Sequence, residues 1–199
     1  MVIKQLFSPK KAQNLHQPMF NLFAKKYSNK EKVLFRFLRR NNLFDKLEDE
    51  EIAEFLPFLH LRTYHYNEVI FFRNDPSQAL YIIKTGNVRI SLDVEEHFED
   101  LLVLSSGESF GDNAILEHTI RSYNAICNSE VCEVYAIPQF NVVDIFNHHV
   151  EIKAKMVQGL ARYYDRYLIN LAKSYRNTFG LFDLANVYAL TQNDILREK

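Results

Sequence analysis

The stretch Leu80-Tyr81-Ile82-Ile83-Lys84-Thr85-Gly86-Asn87-Val88-Arg89-Ile90-Ser91-Leu92-Asp93-Val94 decides the fold. In its second half Val88, Ile90, Leu92 and Val94 alternate with Arg89, Ser91 and Asp93. A period of two marks a strand with one buried face. The first half, from Ala79 to Lys84, is a second β-like run, and Gly86 between the two supplies a turn.

Outward from this pair the same grammar repeats. Runs predicted as strands are Leu59 to Tyr66, Glu68 to Phe72, Asp100 to Leu104, Ser122 to Asn128 and Val131 to Ile137. The breaks carry turn residues: Asn67, Asn74-Asp75-Pro76, His97, Ser105-Ser106-Gly107 and Ser129-Glu130. So many short, evenly spaced strands predict a mainly β chain, a double-stranded β-helix or jelly roll. Helical spacing flanks it. Val33, Leu34, Phe37 and Leu38 precede Asn41-Asn42, and the acid-rich Glu48-Asp49-Glu50-Glu51 opens a segment with Ile52, Phe55 and Leu56. After Pro138 come Phe140, Val143, Asp144 and Phe146, then a long helix from about Glu151 to Tyr175. Within it Val157, Leu160, Tyr164, Tyr167 and Leu171 recur at three- and four-residue steps, a seam at coiled-coil spacing. The seam fits either self-association or folding back onto the β domain. The chain is expected to divide into a basic N-terminal arm (1–30), a β-roll domain with its N-terminal helices (31–150), and a C-terminal helix and tail (151–199).

The one long excursion between late strands is Phe110-Gly111-Asp112-Asn113-Ala114-Ile115-Leu116, followed by Arg121-Ser122. If Gly111 turns the chain into a single helical turn, the first N–H groups point outward as a partial positive charge suited to a phosphate. Arg121 is then placed to pair with phosphate oxygens, and Asp112 to accept a sugar hydroxyl. The spacing is equally compatible with a plain β-turn and a solvated Arg121 at a strand edge.

With 199 residues, 47% of them apolar, and sixteen Phe and eleven Tyr, the chain can bury a substantial core. No run of eighteen apolar residues exists, and Lys10, Lys11, Lys25 and Lys26 interrupt any signal-peptide core. The expectation is a cytoplasmic protein without a transmembrane segment. Cys127 and Cys132 are too few for a disulfide framework and read as buried, reduced thiols. The net charge of −1 hides an asymmetry: residues 1 to 40 hold ten Lys or Arg against Glu31 alone, a formal +9, which leaves −10 for the rest. Such an arm, with Phe20, Leu22, Phe23 and Tyr27 interleaved, suits an acidic partner, an anionic surface or nonspecific nucleic-acid contact, or else is ordinary amphipathic cover. Catalytic readings lack residues. His60, His65, His97 and His118 are scattered, His148 and His149 are adjacent, and neither a Gly-X-Ser-X-Gly elbow nor a Walker-type loop is present. No catalytic residue, metal ligand or required cofactor is assigned.

From about Val33 to Tyr175 the chain resembles a cyclic-nucleotide-binding domain of the catabolite-activator and Fnr-like superfamily. The likeness rests on Asn42 to Leu47 after the first helix, Tyr64 to Phe72 as first hairpin, Leu80 to Val88 as strand-glycine-strand hallmark, Leu104 to Gly111 leading into the phosphate-binding cassette, and Arg121-Ser122 at its end. The resemblance implies a non-enzymatic regulatory domain. Gly111, Asp112, Asn113, Ala114, Arg121 and Ser122 would hold a cyclic nucleotide, cyclic AMP or else cyclic GMP, and the helix around Tyr163 to Leu171 would cover the base. It also implies a homodimer through residues 151–175, or an unidentified protein partner, as the route of output. Only a short tail follows Tyr175, where family transcription factors carry a winged helix-turn-helix, so sequence-specific DNA binding is not expected.

Several positions depart from the family pattern. Asp112 replaces a glutamate one methylene longer, Asn113 an apolar residue, and Tyr123 a small residue beside the phosphate. Asn67 and Asn74 stand at turn positions usually held by glycine or an acid-glycine pair, a mild change because Asn tolerates φ > 0. If Tyr123 points inward it fills the pocket, and the alternative is a degenerate domain acting as a dimerising or protein-interaction scaffold. Strand alternation would equally allow it to point outward.

Overall fold

A computed structural model describes residues 27–94, 97–116 and 118–179. Most of the basic arm, residues 1–26, and the tail 180–199 lie outside these.

Helix α1 (Asn29–Leu38) starts at a capping box: the Ser28 hydroxyl accepts from the Glu31 N–H while the Glu31 carboxylate accepts from the Ser28 N–H. Helix α2 (Asp49–Ala53) has three acids in its first turn and another reciprocal cap between Glu48 and Glu51, and Pro57 lies in the 3-10 turn Leu56–Phe58 that follows. Eight strands come next: β1 (His60–His65), β2 (Val69–Phe71), β3 (Ala79–Thr85), β4 (Val88–Val94), β5 (His97–Leu104), β6 (Ser109–Phe110), β7 (Asn124–Cys127) and β8 (Val131–Pro138). They form two antiparallel four-stranded sheets, in the orders β1-β8-β3-β6 and β2-β7-β4-β5. Helices α3 (Gln139–His148) and α4 (Val150–Phe179) complete the chain. The fold is the expected β roll with flanking helices.

Two apolar clusters explain why β3 is a continuous apolar run. Tyr81 and Ile83 face the roll interior, with Phe71, Val88, Ile90, Phe110 and Val134. Leu80 and Ile82 face the opposite way, into a core with Phe35, Phe44, Phe55, Ile137 and Phe146 from the helices and the strand beside them. A strand covered on both faces has no polar side to show. The turns use the special backbones their residues allow, with Asn67 at φ 64°, Asn74 at φ 67° and Gly86 at φ 79°.

Some sequence expectations shift. Burial along β4 stops alternating after Ile90, and at the same place β5 carries an extra residue, since Ile90 pairs with Leu102 but Ser91 with Asp100. Ser91 is fully buried, whereas period two would have put it outside. His97, read as a turn, begins β5. In α3 the core-facing residues are Val142, Ile145 and Phe146, a single face at i, i+3, i+4 spacing, and Phe140, about 200° round the helix from Val142, is exposed. Val33 of α1 is likewise exposed, and Phe35 takes the buried place. Along α4 the seam divides. Of its residues only Leu160 packs into the chain's own core, beside Ile152 and Met156, while Val157, Tyr164, Tyr167 and Leu171 stay partly exposed.

The first half of α4 is held against α2 and the segment joining it to α1. Lys155 Nζ reaches both carboxylate oxygens of Glu51 at 2.7 Å, Arg162 reaches Asp45 at 2.8 Å, and Arg166 reaches the side-chain oxygen of Asn42 at 2.7 Å. Gly159 lets the backbones touch, because a Cβ there would run into the Asn42 carbonyl.

Candidate functional site

Phe110 pairs with Tyr81 across β6 and β3, and at Gly111 the chain turns through the left-handed region at φ 65°. A Cβ at this position would meet the Arg121 guanidinium. A 3-10 turn follows from Asp112 to Ile115, closed by the Ala114 N–H donating to the Gly111 carbonyl at 3.0 Å. The end of the excursion is laced to residues 74–77: Asn74 N–H donates to Arg121 O, Arg121 N–H to Asp75 O, and Ser77 N–H to Thr119 O. Asn113 ties the two ends together. Its side-chain amide donates to Ile120 O at 2.5 Å, and its Oδ1 accepts from Ser77 Oγ at 3.0 Å.

The arginine that ends the excursion is neither solvated nor aimed at open space. Arg121 is 2% exposed. Its guanidinium donates to Ala79 O at 2.6 Å, to Gly111 O at 3.0 Å and to Asn113 Oδ1 at 3.3 Å. It also lies 4.2 Å from the centre of the Phe71 ring and 5.6 Å from that of Tyr81. Burial pushes its pKa down, with Tyr81 and Tyr123 the next groups acting on it. One donor, Nε, is buried without a partner.

Tyr123 points inward. Its hydroxyl oxygen accepts the Gly111 N–H at 2.7 Å, and its ring lies 5.7 Å from that of Phe71. Burial, followed by the nearby Asp112, drives the phenol pKa well above the ordinary tyrosine value.

Beside this turn is a cavity of about 450 Å³, within the range of roughly 300–1,000 Å³ typical of small-molecule sites. Ser109, Asp112, Ser122 and Tyr123 form one wall, Leu102 and Leu104 of β5 and Ile90 of β4 another, and Tyr163, Tyr164, Tyr167 and Leu168 of α4 close it. None of its lining residues is Lys, Arg or His. Asp112 is 7% exposed, and its carboxyl pKa is pushed up to about 6, mainly by desolvation and against the pull of Arg121. Tyr163 and Tyr164 are raised as well, by burial first and by Asp112 second.

Of the six residues singled out by sequence, the structure puts Asp112 and Ser122 on the cavity wall. Gly111, Ala114 and Arg121 are buried in the turn behind it, and Asn113 bridges the turn's ends. The box that takes up Arg121, made of Phe71, Tyr81 and the Ala79 carbonyl, went unread in the sequence. Its only trace there was the inward phase of Phe71 and Tyr81 on their strands. Cys127 and Cys132 are free and buried, and burial lifts the Cys132 thiol to about 12. Among the described residues no cluster of His, Cys, Asp and Glu could hold a metal ion, and no helix is long and apolar enough to cross a membrane.

Two packed antiparallel sheets, a left-handed glycine opening a short turn, and a following helix that closes a cavity over it define a ligand-pocket β roll. Residues 61–149 match the family model of the cyclic nucleotide-binding domain. Over these residues the chain is similar to this family, and its relatives include a receptor of the catabolite-activator kind. It is 33% identical over 92 residues to the cyclic AMP receptor protein of Thermus thermophilus, covering 45% of this chain and 42% of the relative. A cGMP-dependent protein kinase of Caenorhabditis elegans is 24% identical over 106 residues, 52% of this chain but 14% of the kinase. The crystal structure of the Thermus thermophilus catabolite activator protein superposes with a TM-score of 0.56 at 26% identity, over 65% of this chain and 61% of that one. The chain therefore spans about a seventh of such kinases and less than half of the bacterial receptor. No winged helix-turn-helix occurs among the described residues.

Proposed function

We propose that this is a non-catalytic regulatory domain that senses a cyclic nucleotide, with cyclic AMP as the ligand, in the cavity between the 111–122 excursion and α4. One observation carries the reading. The same cavity touches Asp112 and Ser122 on one side and Tyr163, Tyr164 and Tyr167 on the other, so an occupant contacts both the turn and the helix. In this reading the ribose hydroxyl lies at Asp112 and the phosphate at Ser122 and the turn Gly111–Ala114. Arg121 exchanges the Ala79 and Gly111 carbonyls for phosphate oxygens, and the base lies under the α4 tyrosines. Occupancy then biases the position of α4 by the difference in affinity between its two placements. Identity to the Thermus receptor, higher than to the kinase, supports cyclic AMP over cyclic GMP. Output passes through a homodimer along residues 151–175 or through a protein partner, with 31–150 as the sensing unit. Reduced Cys127 and Cys132 fit a cytoplasmic setting.

A second reading, a scaffold that binds no ligand, is favoured by a specific observation: Tyr123 occupies the Gly111 N–H and both terminal nitrogens of Arg121 are already engaged by protein acceptors. Calorimetry with cyclic AMP and cyclic GMP separates the two, on the wild type and on Arg121→Lys with its fold checked by melting. Saturable heat with cyclic AMP that weakens in the variant supports the sensor; no heat with either nucleotide at millimolar concentration leaves the scaffold.

A further inference from the structure

A phosphate entering this cavity as it stands would find no partner of opposite charge. None of the lining residues is cationic, and the one ionisable wall group below neutral pH is the Asp112 carboxyl. The Gly111 N–H is given to Tyr123 Oη at 2.7 Å, and the Arg121 guanidinium is turned into the roll onto two carbonyls. A base and a sugar would find much more. Tyr123, Tyr163, Tyr164 and Tyr167 bring aromatic rings, Leu102 and Leu104 apolar side chains, and Asp112 and Ser122 hydrogen-bonding groups. Desolvating a phosphate here without a counter-charge is unfavourable, whereas an uncharged heteroaromatic ligand brings no such penalty.

We propose that Tyr123 is a seated gate. With its hydroxyl on Gly111, the cavity takes an uncharged purine nucleoside; a cyclic nucleotide binds only after Tyr123 is unseated, so the two ligands oppose one another. This rests on the reading of the cavity as a nucleotide site and adds a selectivity that the family resemblance does not contain. Thermodynamically the gate is an internal competitor. The free energy of the Tyr123–Gly111 hydrogen bond is subtracted from phosphate binding and not from nucleoside binding.

The test is calorimetry with adenosine and with cyclic AMP, separately and in competition, on the wild type and Tyr123→Phe. The variant keeps a ring against Phe71 and deletes the acceptor on Gly111. The wild type is expected to bind adenosine at least as tightly as cyclic AMP, each displacing the other. Tyr123→Phe is expected to shift the affinity ratio toward cyclic AMP by roughly tenfold, the scale of one hydrogen bond. Amide exchange at Gly111 gives a ligand-free readout and is expected to quicken in the variant by a similar factor. Should Tyr123→Phe fail to fold, the wild-type ratio decides. Cyclic AMP binding tighter than adenosine to the wild type, with an unchanged ratio in the variant, overturns the gate and leaves the sensor reading standing. Silence from both ligands on every variant overturns both.

Discussion

Asp112→Asn should stabilise the ligand-free protein at neutral pH and do nothing in acid. The carboxyl is buried in the cavity wall, and its pKa rises from the ordinary 3.8 to about 6. The groups facing it are Arg121, which draws the value back down, and Tyr123, Tyr163 and Tyr164, which are uncharged throughout this range. A raised carboxyl pKa means that the folded state holds the proton more tightly than the unfolded one. Stability is therefore lost as pH climbs from about 4 through about 6, and the loss is complete above that. A shift of about two units corresponds to roughly 3 kcal/mol. Asparagine has a similar shape and no charge to desolvate. The stability difference between variant and wild type should be near zero at pH 4 and grow to roughly 3 kcal/mol at pH 7, a rise in melting temperature of about 6–12 °C for a chain of this size. Urea unfolding at half-unit pH steps without ligand measures it, and taking the difference cancels every other titrating group the two proteins share. A pH-independent difference, or a variant less stable at pH 7, would refute the argument that desolvation governs Asp112.

Arg121→Ala should destabilise the protein by roughly 2–4 kcal/mol in urea with no nucleotide present, because the Ala79 and Gly111 carbonyls lose their donor; a change below about 0.5 kcal/mol, the scale of a surface residue, would contradict its burial. Gly159→Ala would ordinarily stabilise a helix by about 1 kcal/mol. Here it should lower the melting temperature, since the new methyl meets the Asn42 carbonyl, and a gain in stability would show that α4 is not in backbone contact there. If the exposed half of α4 pairs two copies of the chain, light scattering should give a dimer for the wild type and a monomer for Leu171→Glu, with monomer for both removing that interface.

The strands were legible because each states its environment in its own residues. The β4 alternation and the two-sided burial of β3 are local patterns, and the turn residues Asn67, Asn74 and Gly86 adopt the positive φ their chemistry permits. What failed was phase. Ser91 is buried where it pairs with the equally buried Asn124 of β7, and Phe140 lies off the face of α3 that Val142, Ile145 and Phe146 turn to the core; both depend on a neighbouring element that no local pattern encodes. The site was legible as a place and not as an arrangement. Spacing located Gly111 and Arg121 on one turn, but where the guanidinium points depends on Phe71 and on the Ala79 carbonyl, 50 and 42 residues away in the chain. The inward direction of Tyr123 was left open for the same reason, because β7 begins only at Asn124 and its alternation does not extend back to residue 123.

The polar ties along α4 also make it a lever. Lys155, Arg162 and Arg166 anchor it to residues 42–51, and beyond Arg166 the helix runs on to Phe179. At 1.5 Å per residue the stretch from Arg166 to Phe179 is about 20 Å long. A tilt of about 10° at Arg166 would sweep its far end through about 3.5 Å, close to the width of an aromatic ring, while the cavity residues Tyr167 and Leu168, next to the pivot, would hardly move. A small change at the tyrosines would thus arrive at the end of α4 magnified, where a surface able to meet another molecule would feel it most.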